Sequence, residues 1–535
     1  MNSKESFGKM SVHPDVANGL HEKVANGNTS TSILRDMTAD GLRKRMQEIR
    51  EDVLEHVNDR INDMMSEVLQ NIETVPAKNG EFLYNADKYR DKKKSDKEGM
   101  LPDKEFLHRN SLLTDLFEIT HIRTVYNLFI VILILLFLNT AASDIMESGK
   151  FLVGTETIQN AFGNFPACLY IWSFMQVSTF GIYMAFNIWA YQRHAFSPKS
   201  SAQKNWDYGW LTALIFYQVL FIILPVKAML QQNLGICSNI VVLMEQIRML
   251  MKSHAFIRST ASRHLAYKPH SELPVPKSPG FSQYLYFLFA PTLVYRDSYP
   301  RTEKIRWTIV IWNFFEFGLA IFYLALVVER MLLPVFRIFG TQPLEQKWYI
   351  KSTIEASVPG ILFFMAGNYL LLHSWLNAWA ELLRFADRMF YKDWWNCTSY
   401  RTYYRTWNVV VHDWLYTYIY KDIYEILSQR NKNLATFAVF FVSAVFHEYI
   451  IAFTFHFFYP VMFVLFGGFG FAFIFVGKIV RSNTFMWLSF CLGNGIMMSL
   501  YSIECYARAN CLPHPDYYVD LFLPRSWNCQ QQLGA

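Results

Sequence analysis

Long apolar runs separated by charged segments dominate this chain. Runs of about 20 apolar residues, enough to cross a bilayer as a helix, occur at 123–143, 166–190, 208–230, 234–252, 307–333, 353–373, 433–458, 460–480 and 484–506. Glu245 and Arg248 weaken the fourth run, and Pro225 is expected to kink the third. The alternation of apolar and polar residues typical of a membrane β-barrel is absent. The pattern therefore predicts an all-α, polytopic membrane protein with about nine spans.

A different pattern precedes the first span. Residues 1–39 are polar and predict a disordered tail, whereas apolar residues recur every three or four positions within 40–75. That spacing predicts an amphipathic helix, which could self-associate, lie on the membrane surface or dock on the protein body. Its polar face mixes both signs of charge, which favours oligomerisation over binding to anionic lipid. The segment 76–120 then forms a charged linker to a membrane body at 121–508.

Composition and charge predict how the chain is oriented across the membrane. Hydrophobic residues make up 52% of the chain and aromatic residues 17%, more than a water-soluble protein needs. The first 120 residues and the loops at 191–207 and 252–306 are rich in Lys and Arg, which predicts that they are cytosolic. An odd number of spans then places the C-terminal tail, 509–535, in the lumen. Because the net charge of +6 lies mostly on these loops, it indicates topology and does not indicate binding to nucleic acid.

The tail contains two of the seven cysteines, Cys511 and Cys529. A lumenal tail would allow them to form a disulfide, and closing such a loop would contribute about 3 kcal/mol. Two free thiols are the alternative. We favour the disulfide because few Lys or Arg residues surround the pair.

Candidate chemistry lies within 433–458, where the polar residues near the middle of the run are Ser443, His447 and Glu448. Ser443 and His447 share one helix face, whereas Glu448 is turned away from it. A histidine between packed helices can be purely structural, but at mid-membrane a functional role is favoured. The pair could form an acyl-enzyme, or His447 could act directly on an acceptor alcohol while Ser443 supports it. No GxSxG motif surrounds Ser443, which favours direct transfer.

A second candidate segment, 403–422, contains Asn408 and His412 four residues apart, among Tyr, Trp, Arg and Lys residues. The Asn408 amide could donate to an oxygen that becomes negative in a transition state. Interleaved cations and aromatic rings suit a ligand with phosphates and a purine, as coenzyme A has, although a membrane-interface belt is equally compatible. The histidines show no metal-ligand spacing and the chain has no cysteine cluster, so no metal site is predicted; they are His373, His412, His447 and His456.

Three motifs carry a resemblance over roughly 120–535: FYKDWWN at 390–396, WNVVVHD at 407–413 and FHEY at 446–449. Together they resemble the membrane-bound O-acyltransferases. The diacylglycerol acyltransferases share the first and third motifs, but the segments at 289–302, 403–416 and 524–529 look like the sterol O-acyltransferase branch. The residues of the first motif that define it are Phe390, Tyr391, Asp393, Trp394, Trp395 and Asn396.

The resemblance implies a body of nine membrane helices that encloses a reaction chamber, in the endoplasmic reticulum. It implies esterification of cholesterol or another sterol with long-chain acyl-CoA as co-substrate and no permanently bound cofactor. His447 would be the catalytic base and Asn408 would act at the thioester. Carried over motif by motif, the acyl-CoA contacts would be Thr402, Arg405, Asn408, His412, Tyr420, Lys432 and Ser443. At Thr402 the family often has Asn.

The N-terminal helix resembles that branch's oligomerisation region, which implies a homotetramer built as a dimer of dimers. Two alternatives remain at this point. The acceptor could be diacylglycerol or a long-chain alcohol, or the protein could bind or transport sterol without chemistry. No inverted repeats or paired broken helices are visible, which disfavours a transporter.

Overall fold

The computed structural model of the protein describes residues 101–267, 276–342, 344–427, 431–476 and 481–529. The predicted tail 1–39, the predicted oligomerisation helix 40–75 and most of the predicted linker 76–120 lie outside these residues. Within them the structure is helical, and β pairing is confined to isolated bridges, among them Arg109 with Asp387 and Arg301 with Phe385. The all-α prediction is confirmed.

Seven α-helices occupy the first half of the described chain. They are α1 (Leu112–Leu116), α2 (Thr120–Ser148), α3 (Thr155–Ala161), α4 (Phe165–Arg193), α5 (Ser201–Gln231), α6 (Ile236–Ala266) and α7 (Phe281–Phe289). The long helices α4, α5 and α6 pack against one another. Ser200 begins α5 as an N-cap, because its hydroxyl accepts from the Gln203 N–H at 3.1 Å.

The second half contains eleven α-helices. They are α8 (Trp307–Val327), α9 (Leu333–Phe336), α10 (Gln346–Glu355), α11 (Ser357–Asn368), α12 (Leu376–Leu382), α13 (Tyr400–Thr406), α14 (Val409–Leu415), α15 (Lys432–Phe455), α16 (Phe471–Val476), α17 (Asn483–Asn510) and α18 (Tyr517–Phe522). Five π-helical segments adjoin them, at Val328–Leu332, Tyr369–Trp375, Tyr416–Tyr420, Ile423–Leu427 and Phe463–Gly470. Such segments are frequent at functional sites.

Seven stretches of the described chain are long and apolar enough to cross a membrane. They are Thr120–Glu147, Thr155–Arg193, Ser201–Gln231, Trp307–Phe336, Gln346–Leu382, Lys432–Phe455 and Asn483–Asn510. Each matches a predicted span, so a multi-pass membrane protein is confirmed but the number nine is not. The predicted span 234–252 lies in α6, where charged side chains lower the apolar character. In the described part of the predicted span 460–480, which ends at 476, lies the short apolar helix Phe463–Phe475.

The charges on α6 are satisfied inside the protein. Glu245 accepts from Arg248 at 2.6 Å and from the Trp172 indole at 2.7 Å. Lys252 is 1% exposed, and its ammonium donates to three carbonyls at the C-terminal end of α7, those of Phe287, Leu288 and Ala290. The last carbonyls of a helix have no partner within it and favour a positive charge. Lys252 therefore fixes the aromatic segment around α7 within the body.

The end of the predicted linker is attached to the body in the part that the structure describes. Lys104 pairs with Asp413 at 2.5 Å, and Lys421 pairs with Asp103 at 2.7 Å. Arg109 pairs with Asp387, which is 5% exposed. Residues 101–120 thus pack on the segments that carry the FYKDWWN and WNVVVHD motifs.

The C-terminal tail is closed by a disulfide. Cys511 and Cys529 are bonded, with their Cα atoms 5.3 Å apart, so the predicted disulfide is confirmed. Gly340 lies against this bond with a φ of 79°, and a Cβ there would stand 2.8 Å from the Cβ of Asn510. Only glycine suits both the left-handed backbone and the close approach.

Candidate active site

His447 lies two-thirds of the way along α15 and is half-buried. Its Nδ1 lies 2.7 Å from the carbonyl oxygen of Ser443, one turn earlier, and 3.5 Å from the Ser443 hydroxyl. A carbonyl can only accept, so Nδ1 carries the proton in the neutral ring. Nε2 then keeps its lone pair, which is the form that a general base requires.

The ring of Phe466, in the π-helical segment Phe463–Gly470, stacks on the ring of His447. The two ring centroids are 5.0 Å apart at an interplanar angle of 30°. The next residue, Gly467, allows this approach, because a Cβ there would be 2.9 Å from the Cβ of Ala444 on α15. Tyr404 of α13 packs edge-on against Phe466, with the two ring centroids 5.6 Å apart. His447 and α13 therefore meet around one aromatic ring.

The two residues after His447 tie α15 to different neighbours. The Glu448 carboxylate accepts from the Phe463 N–H at 3.0 Å, in the same π-helical segment whose Phe466 packs on His447. The Tyr449 hydroxyl donates to the side-chain oxygen of Gln246 on α6 at 2.6 Å. The contacts of three consecutive side chains thus fix α15 in rotation, and the orientation of Glu448 relative to the His447 face stays a prediction.

Gln246 in turn replaces a hydrogen bond that is missing from the backbone of α5. Pro225 has no N–H, so the carbonyl of Phe221 lacks its usual helical partner. The Gln246 amide donates to that carbonyl at 2.8 Å and to the carbonyl of Ile222 at 3.0 Å. Gln246 is fully buried, so these bonds satisfy groups that water cannot reach.

The FYKDWWN motif forms a turn beneath α13 and α14. Phe390, Tyr391 and Trp394 are buried, while Asp393 and Asn396 are exposed. The carbonyl of Phe390 accepts from the Val409 N–H at 2.8 Å, and the N–H of the following lysine, Lys392, donates to the carbonyl of Thr406 at 2.7 Å. The motif therefore binds the backbone on both sides of Asn408. The carbonyl of Trp395, which is half-buried, accepts from Asn483 of α17 at 2.8 Å.

Asn408 is the N-cap of α14. Its side-chain oxygen accepts from the Val411 N–H at 3.1 Å. An asparagine at this position is common because it satisfies one of the unpaired N–H groups of the first turn. With the oxygen engaged in the cap, the two N–H donors of the amide are not used by this bond. The amide can therefore donate to a carbonyl oxygen that approaches this end of the helix.

The other predicted contact residues fall into two groups. His412 and Tyr420 belong to a column of stacked rings along α14 and the π-helical segments after it, whose centroids are 6.4, 5.8 and 5.9 Å apart; its members are His412, Tyr416, Tyr420 and Tyr424. Burial raises the pKa of Tyr420, and the nearby charge of Arg405 opposes that rise. Thr402, Arg405 and Lys432 are exposed, and Ser443 adjoins His447. The structure thus gathers Arg405, His412 and Tyr420, and separately Ser443 and His447.

A second polar cluster lies in the membrane-spanning part and was missed as a site by sequence reasoning. His373, 5% exposed, has its Nδ1 2.7 Å from the Tyr391 hydroxyl and 3.2 Å from the Asn377 amide. Glu316 of α8 accepts from the hydroxyls of Tyr126 at 2.9 Å and Tyr369 at 3.0 Å. A histidine and a carboxylate inside predicted spans were the signals that could have revealed it. Among the described residues, no group of three His, Cys, Asp or Glu side chains could hold a metal ion.

Comparison with known proteins assigns the chain to a family. Residues 169–503 match the family described as MBOAT, membrane-bound O-acyltransferase family. The chain belongs to the membrane-bound O-acyltransferase family. It is an acyltransferase that crosses the membrane several times.

Within the membrane-bound O-acyltransferases, the chain is similar to two named groups of relatives. It is 43% identical to Sterol O-acyltransferase 1 of Cricetulus griseus over 435 residues, which cover 80% of this chain and 78% of the relative. It is 40% identical to Sterol O-acyltransferase 2 of Homo sapiens over 432 residues, which cover 80% of each chain. It is also 40% identical to Sterol O-acyltransferase 2 of Mus musculus over 435 residues, covering 80% of this chain and 81% of the relative.

Proposed function

We propose that this acyltransferase transfers a long-chain fatty acyl group from acyl-CoA to the 3β-hydroxyl of cholesterol or another sterol. The products are a steryl ester and free coenzyme A. Relatives named sterol O-acyltransferase, 40–43% identical over 80% of the chain, support the sterol as acceptor. The observation that carries the chemistry is the 2.7 Å contact between Nδ1 of His447 and the Ser443 carbonyl, which implies a proton on Nδ1 and leaves Nε2 to act as the base.

The proposed reaction begins with the sterol hydroxyl directed at Nε2 of His447. The imidazole removes the hydroxyl proton as the oxygen attacks the carbonyl carbon of the thioester. The carbonyl oxygen becomes negative, and the Asn408 amide donates a hydrogen bond to it. The carbon–sulfur bond then breaks, and the coenzyme A thiolate takes the proton back from the imidazolium. His447 ends the cycle neutral, and no atom is left over.

Ser443 has a supporting role in this proposal. Its backbone carbonyl holds the His447 ring, while its hydroxyl stands 3.5 Å from Nδ1, the protonated nitrogen. A serine nucleophile needs the unprotonated nitrogen of its histidine as base. The tautomer that this contact implies therefore favours direct transfer over an acyl-enzyme on Ser443.

We propose that the acyl-CoA headgroup binds along the face that carries the stacked column and Arg405, with Thr402 and Lys432 at its edges. Aromatic rings beside a cation suit a purine and phosphates. Arg405 is exposed and His412 and Tyr420 are half-buried, so all three can reach a ligand from solvent.

The remaining parts of the proposal concern place and assembly. The Cys511–Cys529 disulfide supports an oxidising compartment for the C-terminal tail, as in the lumen of the endoplasmic reticulum, with the N-terminus cytosolic. We propose that the amphipathic segment 40–75 joins four subunits as a dimer of dimers, a prediction of the sequence pattern that lies outside the described residues.

The test is ester formation by detergent-purified protein that receives labelled oleoyl-CoA with cholesterol or diacylglycerol side by side. We expect steryl ester from cholesterol. If triacylglycerol is the only product, the acceptor is diacylglycerol and not the sterol. If neither acceptor is esterified, the proposed activity is overturned. The variant Ser443→Ala keeps the backbone carbonyl and removes only the hydroxyl. It should lose activity modestly under direct transfer, whereas complete loss would indicate an acyl-enzyme.

A further inference from the structure

The C-terminal tail carries a patch of exposed apolar and aromatic side chains. Tyr517 and Tyr518 are each 71% exposed and Trp527 is 64% exposed. We define the tail patch as Leu512, Tyr517, Tyr518, Phe522 and Trp527, all of which are at least half exposed. Contiguous patches of this kind mark contacts with a partner or a membrane.

The tail patch is held in a fixed position. The disulfide between Cys511 and Cys529 closes the tail into a loop. Within that loop, Arg525 forms two hydrogen bonds of 2.6 Å to the Asp520 carboxylate. The Arg525 N–H also donates at 3.0 Å to Glu504 of α17, which is fully buried. The aromatic residues therefore project from a braced loop and not from a free chain end.

This loop lies at the end of a membrane-spanning helix. α15 has 24 residues and ends at Phe455; at 1.5 Å per residue its length is about 36 Å, slightly more than the hydrocarbon core of a bilayer. Just beyond this end, the Phe458 N–H donates to the carbonyl of Leu521 in the tail at 3.2 Å. The Phe458 and Phe522 rings are 5.6 Å apart, and the Tyr459 and Trp527 rings are 6.4 Å apart. The tail patch thus continues the aromatic surface at the helix end.

The side chains of the tail patch have the chemistry that suits the surface of a lipid bilayer. Tyrosine and tryptophan combine an apolar ring with a polar group, and they are enriched where lipid headgroups meet hydrocarbon. Phe522 and Leu512 add apolar surface that can enter the outer part of the acyl chains. Since the loop is fixed at the level where α15 leaves the bilayer, the geometry points to a role for the tail patch as a membrane-interface anchor that inserts among lipid headgroups. The partner is the bilayer surface itself, and the anchor does not depend on the proposed reaction.

The experiment places an environment-sensitive fluorescent amino acid, by codon suppression, at Tyr518 or at Trp527 of the full-length protein. The protein is reconstituted in phosphatidylcholine nanodiscs that contain lipids with a nitroxide on the headgroup or high on the acyl chain. The matched control carries the same residue at Gln342, an exposed polar position close to Gly340 at the same end of the molecule. Each protein is checked for an intact disulfide, so that a misfolded variant is not measured.

We expect the nitroxide lipids to quench the probe at Tyr518 and at Trp527 severalfold more strongly than the probe at Gln342. Transfer of the same proteins into detergent without nitroxide should restore the fluorescence at both positions. Equal quenching at all three positions would overturn the anchor. A probe that is shielded from water in nanodiscs but not quenched by either nitroxide would also overturn it, because the patch would then be covered by protein.

Discussion

His373 and His447 both lie within membrane-spanning helices, and their surroundings differ. His373 is 5% exposed, and the polar side chains of Tyr391, Asn377 and Ser111 lie within 2.7 to 3.4 Å of its Nδ1. His447 is half-buried, and its Nδ1 has a backbone carbonyl as its short contact. One histidine is enclosed in a side-chain network, and the other is held by one bond and an aromatic face.

This difference separates a structural role from a chemical one. Exchanging a proton requires a nitrogen that a substrate can reach, and the Nδ1 of His373 is already bonded within a network of side chains. A backbone carbonyl cannot itself take or release a proton, so it fixes the tautomer of His447 while Nε2 stays available. If candidates for the catalytic base were ranked by burial alone, His373 would come first. The backbone carbonyl that holds Nδ1 favours His447 instead.

The largest expected effect comes from His447→Ala. Loss of a general base should reduce ester formation by about 10²–10⁴-fold. The melting temperature should change little, since the ring is half-buried and Ser443 keeps its backbone bonds. Turnover and thermal unfolding of the purified variant measure the two quantities. Activity close to that of the unaltered enzyme would assign the base elsewhere, with His373 as the first candidate.

Asn408→Asp should rank second. The carboxylate keeps the oxygen that caps α14 but removes both amide donors. Removing one donor to a developing oxyanion lowers turnover by about 10²–10³-fold. Turnover should therefore fall while helix content and thermal stability stay the same. If Asn408→Asp remains active and Asn408→Ala does not, the residue acts only as a cap.

His373→Ala tests the other side of the comparison. It removes the imidazole that the Tyr391 hydroxyl and the Asn377 amide share, at a cost of about 1 kcal/mol for each lost hydrogen bond, since each group keeps a second partner. We expect a lower melting temperature and a smaller yield of folded protein. Turnover per folded molecule, measured by active-site titration, should be nearly unchanged. Loss of turnover at full stability would contradict a structural role.

The smallest effect is expected from Tyr391→Phe, which removes one hydroxyl and retains the ring. That hydroxyl lies 2.7 Å from His373 and 3.0 Å from Ser111, and a typical buried hydrogen bond contributes about 1 kcal/mol. Combined with His373→Ala, the loss of stability should be less than additive, because both variants disrupt the same network. A double-mutant cycle in thermal or denaturant unfolding measures this coupling. Additive losses would mean that the two residues act independently.

The sequence could predict the features that depend on local pattern. A histidine in an apolar run, the helical class and the pairing of Cys511 with Cys529 all follow from hydropathy and spacing. The tautomer of His447 could not be predicted, because it depends on which backbone carbonyl the ring meets in three dimensions. The cap role of Asn408 was also hidden, since nothing in the local sequence fixes where α14 begins.

The number of spans shows a second limit. Hydropathy treated 234–252 as a span, but α6 carries Glu245, Arg248 and Lys252, which find partners inside the protein. In the described part of the run 460–480, the apolar helix Phe463–Phe475 is short and begins as the π-helical segment Phe463–Gly470, so the count of nine stays a prediction. The position of a reaction chamber and the assembly through 40–75 remain predictions.

Pro225 has a consequence for how related chains can vary. Its missing N–H leaves a carbonyl that Gln246 binds, and Gln246 is held by Tyr449, two residues beyond the base. A helix-forming residue at 225 would return that carbonyl to its own helix and leave the buried amide of Gln246 with one acceptor fewer. Replacing Gln246 alone would leave both the Phe221 carbonyl and the Tyr449 hydroxyl without this hydrogen-bond partner. Related chains should therefore keep or change positions 225, 246 and 449 together. Covariation among these three positions would reflect the N–H group that proline lacks.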